Sequence, residues 1–436
     1  MKHFIGIGGI GMSALAFYLL QKKESVSGSD LKESDLITLM RKKGAKINLP
    51  HNDEVIRQGM SVIYSSSISL NNCEFLKAKE LGCPLLHRSS FLTQLTEGKK
   101  TLYVTGAHGK TSTSALLSHL LYQAGKEPSF ILGGIPHFTR NHGYAGEGEY
   151  FVLEADESDG SFLKGTPFAS IVTNIEAEHL DYWKSFSALK EAYYQFCEKS
   201  THLFYNGDDP LLKRWKLRGT PYFDHEIIKG QQEGNQLRFQ FRIAGKISPE
   251  FSLNWVGCHQ VKNALAVYKL ALFLGIEEEE IAEGFSTFKG VKRRADYLGS
   301  IQGVDYFDDY AHHPSECRSI LESFRKAFPG RRILALFEPH KYSRFQYCTP
   351  GFLNAFNACD ELIITNIYPS GEKPIPGVSV EGFQEKLNRS SHYVPYERLS
   401  DCLEKMTREN DLVITLGAGL ITQIGRRLFE EKNRPS

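Results

Sequence analysis

The sequence predicts an α/β protein of three consecutive domains, and three observations predict it. Strand-like and helix-like runs alternate along the chain, the rhythm restarts at two later points, and glycine-rich turns stand between a strand and a helix near Gly6 and Gly106. Alternation of this kind builds parallel sheets with helices on their faces. A chain of 436 residues also exceeds what one hydrophobic core organises.

The first series runs from a strand at His3–Ile7 to a helix at Gly11–Leu20, then Ser25–Gly28 (strand), Glu33–Lys43 (helix), Ser61–Tyr64 (strand) and Cys73–Leu81 (helix). The polar, glycine-bearing run Glu97-Gly98-Lys99-Lys100 reads as a linker, which places a first domain at residues 1–98. The second series opens with a strand at Thr101–Thr105 and a helix from Lys110 to about Gln123. Phe151–Glu154 and Ser170–Thr173 are further buried strands, Gly230–Phe251 alternates like a small antiparallel excursion, and Val261–Leu274 is helical. The basic run Lys289-Gly290-Val291-Lys292-Arg293-Arg294 ends a second domain at residues 99–294. The third domain, 295–436, holds strands at Ile301–Asp308, Arg332–Phe337, Glu361–Thr365 and Asp411–Leu416, the last running into the turn Gly417-Ala418-Gly419.

Composition narrows the function classes. Hydrophobic residues make up 41% and charged residues 24%, a globular balance. With 52 basic and 51 acidic residues the net charge is +1, so no global field draws nucleic acid, and any anion must be held by local sites. No uninterrupted apolar run reaches membrane length, and Met1-Lys2-His3 leads straight into a strand rather than a signal core. The eight cysteines form no C-x-x-C pair and read as buried free thiols in a reducing compartment. The expectation is a soluble, cytoplasmic protein with neither nucleic acid nor membrane as partner. The sequence is silent on oligomeric state beyond an expected monomer or weak homodimer.

Two turns carry phosphate chemistry. In Thr105-Gly106-Ala107-His108-Gly109-Lys110-Thr111, glycines let backbone N–H groups approach phosphate oxygens, the following helix adds its dipole, and Lys110 supplies a point charge. Thr111 offers a hydroxyl to Mg²⁺. The loop is a shortened G-x-x-G-K-T, because Val104 occupies the first glycine position of the longer motif. The other turn, Gly6-Ile7-Gly8-Gly9-Ile10-Gly11, fits G-x-G-x-x-G, with Asp30 near the position of a ribose-binding acid. It predicts a pyrophosphate on the first helix without saying which nucleotide carries it, and a purely structural tight turn is the bland alternative.

Acidic residues follow the central strands. Glu154-Ala155-Asp156-Glu157-Ser158-Asp159 lies at the end of a buried strand in the domain of the phosphate loop, a placement suited to Mg²⁺. A solvated acidic loop is the alternative. Thr173-Asn174-Ile175-Glu176-Ala177-Glu178-His179-Leu180-Asp181 follows the next strand, and its carboxylates with His179 are candidates for a second cation site.

These motifs, together with Gly257-Cys258-His259-Gln260-Val261-Lys262-Asn263-Ala264, resemble the Mur ligases, which add amino acids to the UDP-N-acetylmuramic acid precursor of peptidoglycan. Gly6–Ser13, Asp308-Asp309-Tyr310-Ala311-His312-His313-Pro314 and Pro339-His340-Lys341-Tyr342-Ser343-Arg344 are similar to the alanine-adding branch, and the motifs cover nearly the whole chain in order. The resemblance implies a Rossmann-like UDP-binding domain, a central P-loop ATPase-type domain and a C-terminal Rossmann-like domain, with ATP and Mg²⁺ as cofactors. UDP-N-acetylmuramate and L-alanine are the implied substrates.

The resemblance also assigns roles. Gly8, Gly9, Ile10, Gly11, Met12 and Ser13 would hold the UDP-sugar, with Asp30, Ser65, Ser66 and Arg88 around it. Gly106, His108, Gly109, Lys110, Thr111 and Ser112 would hold ATP, with His259 and Asn263 on the adenine side and Arg294 and Asp309 closing over the γ-phosphate and ribose. Thr111, Glu154 and His179 would hold Mg²⁺, while Tyr310, His312, His340 and Arg344 form the amino-acid pocket. The implied catalytic set is Lys110, His179, Arg294, His312 and His340. Departures from the usual family residues are Ala107 for threonine, Gln260 for asparagine, Glu338 for glutamine, Lys341 for arginine and Leu420 for aspartate.

Three rivals stand beside this reading. An NAD-dependent oxidoreductase accounts for the first turn but not for the Lys110 loop or the acidic run. A nucleotide-regulated binding protein without catalysis leaves Lys110, Glu154, His179 and Arg294 without work. A murein peptide-recycling ligase acting on the same UDP-sugar is the nearest alternative.

Overall fold

The computed structural model describes residues 1–432, and every element below lies within them. A first sheet of five parallel strands has the order Lys46–Asn48, Val26–Ser29, Lys2–Ile5, Ser61–Tyr64, Leu85–His87. Its first helix, Ile10–Gln21, is apolar around its whole circumference, and Met12 to Leu19 are all buried. A helix buried on every side needs cover on both faces. The second, Asp35–Lys42, is amphipathic, is capped by the Ser34 side chain on Ile37 N–H, and carries Asp35 in its first turn and Arg41 and Lys42 in its last, as the helix dipole favours.

A second sheet of seven strands has the order Thr220–Tyr222, His202–Asn206, Ala169–Val172, Lys100–Thr105, Tyr150–Glu154, Ser129–Ile131, Gly143–Tyr144. All its pairings are parallel except the edge hairpin joining Ser129–Ile131 to Gly143–Tyr144. One hydrophobic cluster runs from Phe4, Leu15 and Phe17 of the first sheet's domain to Phe151, Phe162 and Tyr193 of the second. These two sheets therefore fall in a single compact unit made of Met1–Lys229, Phe239–Ser252 and Val261–Lys289.

The other compact unit comprises Gly230–Arg238, Leu253–Gln260 and the chain from Gly290 onward. Its six-stranded sheet has the order Asp296–Ile301, Val304–Asp309, Leu412–Leu416, Ile333–Phe337, Glu361–Ile364, His392–Tyr393. The single strand expected at Ile301–Asp308 is instead the second half of an antiparallel hairpin. Gln302 and Gly303, at φ +51° and +76°, make its two-residue turn, a backbone that suits the twist of paired strands.

Most other boundaries fall within two residues of expectation. The short strands Lys46–Asn48 and Leu85–His87 and the helix Arg88–Leu95 go unannounced in the sequence. Three residues are too few for an alternation signal, and a helix that follows a strand without a turn carries no punctuation. All eight cysteines are free, but Cys73 and Cys258 are exposed rather than buried. No described helix is long and apolar enough to cross a membrane.

Candidate active site

The central site grows from three parallel strands whose ends lie side by side. Strand Lys100–Thr105 delivers the loop Gly106–Gly109 to the N-terminus of the helix Lys110–Gln123. Gly106 has φ +135°, and a Cβ there would lie 2.1 Å from Thr173 Oγ1. Only glycine fits, because the loop is clasped by the segment after strand Ala169–Val172. Ala107 N–H donates to Asn174 O at 3.0 Å, His108 N–H donates to Asn174 Oδ1 at 2.9 Å, and Thr173 Oγ1 donates to His108 O at 2.6 Å. Asn174, absent from the sequence-derived set, thus shapes the loop.

Lys110 Nζ donates to Gly106 O at 2.6 Å, and both carboxylate oxygens of Glu157 lie 2.9 Å from it. Burial works against the Lys110 charge, but the carboxylates of Glu157 and Asp156 outweigh it and hold the ammonium above its ordinary 10.5. Burial also pushes the Glu157 carboxyl up, while Lys110 pulls it back. Thr111 Oγ1 donates to Glu154 Oε1 at 2.8 Å, and the other Glu154 oxygen accepts from Gly133 N–H at 2.7 Å. Ser112 is buried in the first turn of the helix.

The expected metal set, Thr111, Glu154 and His179, divides into two groups. Thr111 and Glu154 are bonded to each other, whereas the ligand atoms of His179, Asp156 and Glu157 lie within 4.8 Å of one another. His179 Nε2 stands 3.8 Å from Glu157 Oε1, and the residue sits at φ +52° before a short helix. Carboxylate and imidazole in one cluster suit a hard cation with a partly open shell, so the residues present fit Mg²⁺. Asp156 and Glu157 belong to the acidic run, but the sequence does not single them out. Once the strand ends at Glu154, alternation no longer says which carboxylate faces the loop.

His108 Nε2 lies 3.2 Å from Glu176 Oε2. Asn263, on the helix His259–Phe273, turns its amide toward Gly109. His259, at the first position of that helix, is exposed.

The first-domain turn is organised by its own carboxylate. Gly8 N–H donates to Asp30 Oδ2 at 2.8 Å, so one oxygen of the acid expected at a ribose caps the turn. Ser13 is fully buried, and its hydroxyl reaches Gly9 O at 2.9 Å. Gly9, Ile10, Gly11 and Met12 lie at the start of that helix, and Ile10 is exposed. Ser65 closes a turn with Ile68 beyond strand Ser61–Tyr64. Ser66 Oγ donates to Asp159 Oδ2 at 3.0 Å, and Arg88, lying against Gly11, reaches the same oxygen at 3.3 Å. Asp159 is thus a further residue of this site, and no sequence signal separates it from its acidic neighbours.

In the other unit, the ends of strands Val304–Asp309 and Ile333–Phe337 gather Tyr310, His312, His340 and Arg344. His312 Nδ1 lies 2.9 Å from Tyr310 O, and Arg344 donates to His340 Nδ1 at 3.0 Å. The two imidazoles are 5.8 Å apart, and the Tyr310 ring is 5.2 Å from His312. A carbonyl only accepts, so His312 carries its proton on Nδ1 and leaves Nε2 with a lone pair. A guanidinium only donates, so His340 accepts at Nδ1 and carries its proton on Nε2. Burial holds His312 below its ordinary 6.5 and, with His312 and Arg344 as neighbours, pushes His340 down to about 4.

Arg293 and Arg294 stack 4.6 and 5.4 Å from the Tyr310 ring. Asp309 accepts from Ala295 N–H and Ala311 N–H, and burial pushes it up to about 6 against the pull of Arg294.

Comparison with known proteins covers the same ground. Residues 2–100 match the model of the Mur ligase family catalytic domain, 104–271 the Mur ligase middle domain, and 293–419 the Mur ligase glutamate ligase domain. The chain is 42% identical to the UDP-N-acetylmuramate–L-alanine ligase of Protochlamydia amoebophila, covering 97% of this chain and 96% of that one. It is 40% identical to the bifunctional enzyme MurC/Ddl of Chlamydia caviae, where 99% of this chain spans 55% of that longer protein. The crystal structure of the UDP-N-acetylmuramate-alanine ligase MurC of Thermotoga maritima matches with a TM-score of 0.86 at 27% identity, over 99% of this chain and 98% of that one. On its sequence and its fold alike, this chain belongs to the Mur ligase family.

Proposed function

We propose that this protein joins L-alanine to the lactyl carboxylate of UDP-N-acetylmuramate at the expense of ATP, an amide-forming step of peptidoglycan precursor synthesis carried out in the cytoplasm by a monomer or weak homodimer. The observation that carries the reading is the opposed tautomers of His312 and His340 beside Arg344. They set a proton acceptor next to a carboxylate fork, which is what a free amino acid requires of a pocket. The near full-length similarity to alanine-adding ligases supports it.

A carboxylate is a poor electrophile, so a leaving group must be added first. A lactyl carboxylate oxygen attacks the γ-phosphorus of ATP, ADP departs, and an acyl phosphate forms. Lys110 at the helix N-terminus neutralises phosphate charge as it moves. Thr111 and Glu154 on one side and Asp156, Glu157 and His179 on the other would hold Mg²⁺, which supplies charge neutralisation for the phosphoryl oxygens when bound. Arg344 and His340 Nε2–H seat the carboxylate of alanine, and His312 Nε2 takes a proton from its ammonium. The amine nitrogen then attacks the acyl carbon, the C–O bond breaks with its electron pair on the departing phosphate, and that phosphate takes the nitrogen's second proton to leave a neutral amide. By the resemblance, His259 and Asn263 would serve the adenine side, and Arg294 and Asp309 the γ-phosphate and ribose.

Phosphate release assayed with ATP, UDP-N-acetylmuramate and a panel of amino acids and short peptides tests this. Release that depends on the UDP-sugar and on alanine is expected. Release that depends on a murein peptide and not on alanine would overturn it in favour of peptide recycling, and a nicotinamide-dependent turnover would overturn it altogether.

A further inference from the structure

The helix Ile10–Gln21 has its glycine turn at one end and is buried on all sides, and its second cover comes from the neighbouring sheet. The edge hairpin of that sheet lies across it so closely that a Cβ at Gly143 would stand 1.8 Å from Ala14 O. At the helix C-terminal end, Gln21 exchanges two hydrogen bonds with the Ala145 backbone, at 3.1 and 3.2 Å. At the N-terminal end His142 reaches the helix. Its ring is fully buried edge-on against Phe17, and its Nε2 stands 2.9 Å from Ile10 O and 2.8 Å from Ser13 Oγ.

These partners place the ring proton. Ile10 O only accepts, so Nε2 carries the hydrogen and gives a forked bond to Ile10 O and Ser13 Oγ. The Ser13 hydroxyl, accepting from His142, has Gly9 O at 2.9 Å and Ile10 O at 3.2 Å as acceptors for its own proton. Burial pushes His142 down to about 4, so the ring is the neutral donor at physiological pH, and Nδ1 has no hydrogen-bond partner among the described residues. A buried ring that leaves one nitrogen unmatched is costly, and its other nitrogen is spent on Ile10 O and Ser13 Oγ. His142 O in turn accepts from Leu132 N–H at 2.8 Å, next to Gly133, whose N–H is bound to Glu154. The backbone that seats Glu154 therefore also seats His142.

We propose that His142 is a positioning residue for the sugar-nucleotide, fixing from the central domain the shape of the Gly8–Gly11 turn on which the diphosphate docks. This rests on the proposed function, in which that turn receives the UDP-sugar. Its consequence is a selective one: loss of the His142 donor loosens the turn and weakens the sugar-nucleotide, while the Lys110 loop keeps its own clasp from Thr173 and Asn174.

The test is calorimetric, on the full chain, with two probes: UDP-N-acetylmuramate, and a non-hydrolysable ATP analogue with Mg²⁺. H142F keeps the ring packing and removes the donor, H142Q keeps a donor of similar reach, and S13A removes only the hydroxyl. H142F and S13A are expected to weaken UDP-N-acetylmuramate by roughly fivefold or more, the worth of one buried hydrogen bond, with the ATP analogue unchanged. H142Q is expected to recover most of the loss, and the H142F/S13A double variant to lose less than the two single effects combined. Unchanged sugar-nucleotide affinity in both H142F and S13A overturns the proposal, as does equal weakening of both probes by S13A. Failure of the wild-type chain to bind UDP-N-acetylmuramate would overturn the function reading itself, and this one with it.

Discussion

Glu157 holds the ammonium of Lys110 from both carboxylate oxygens, each at 2.9 Å, in a pair whose side chains are 1% and 13% exposed. A phosphate entering the loop must therefore share Lys110 with a carboxylate already in place. Lys110→Met is expected to reduce ATP-dependent turnover by at least about a thousandfold. It also leaves Glu157 buried without its partner, at a cost on the order of 3 kcal/mol in chemical denaturation. The sign follows from the raised Lys110 pKa: the pair's contribution is present below the ordinary 10.5 and is lost only as pH rises above it. The stability gap between wild type and variant should hence persist or widen between about pH 6 and 9, because Glu157 without Lys110 costs more as it ionises, and a gap that closes within that range would contradict an ionised lysine.

Glu154 links Thr111 to Gly133 through its two oxygens. Glu154→Gln keeps the shape and one acceptor but removes the charge that attracts a cation. The Mg²⁺ concentration for half-maximal activity should rise by about 10- to 100-fold, with metal-free nucleotide affinity little altered. An unchanged Mg²⁺ titration would remove Glu154 from the cation site.

The His312 tautomer gives the acid limb of the rate profile. Burial holds the imidazole below 6.5, so it is neutral at pH 7 and the rate should fall only on the acid side of that value. His312→Gln should lower kcat by about 10²- to 10⁴-fold with little change in the KM for alanine. Arg344→Lys should do the opposite, raising that KM, because an ammonium does not reproduce the guanidinium fork. The two kinetic constants measured across pH separate these roles.

Glu338 stands at the end of strand Ile333–Phe337 where its relatives' resemblance leads one to expect glutamine. Its Oε2 accepts from Leu420 N–H at 3.0 Å, and burial pushes the carboxyl up to about 7. A raised folded pKa contributes stability that is full below the ordinary 4.5 and lost as pH rises through about 7. Glu338→Gln should thus be more stable than wild type at pH 8 by on the order of 1–2 kcal/mol, and should lose that advantage near pH 5. Guanidinium unfolding at the two pH values reads the difference directly.

The order of elements, the two glycine turns and the family were legible in the sequence, because each depends on neighbours along the chain. Helix Lys110–Gln123 follows from its glycine loop and its apolar run, and the strands Ser61–Tyr64 and Leu412–Leu416 follow from continuous apolar residues. The side chains that face one another were not legible. The acidic run names six consecutive positions, yet only the packing of three strand ends shows Glu157 on Lys110, Glu154 on Thr111 and Asp159 on Arg88. Asp30 was readable as a carboxylate near the turn, but its use on Gly8 N–H depends on the pairing of strands Lys2–Ile5 and Val26–Ser29.

By itself the sequence determined the alternating α/β build and the presence of a phosphate loop with a lysine and a hydroxyl, since periodicity and loop spacing are local properties of the chain. Only the tertiary structure decided that the first two sheets share one core, that the metal candidates divide between Thr111–Glu154 and Asp156–Glu157–His179, and that His142 bonds to Ser13 across 129 positions. Contacts of that span are settled by which faces bury one another, and burial is a property of the whole fold.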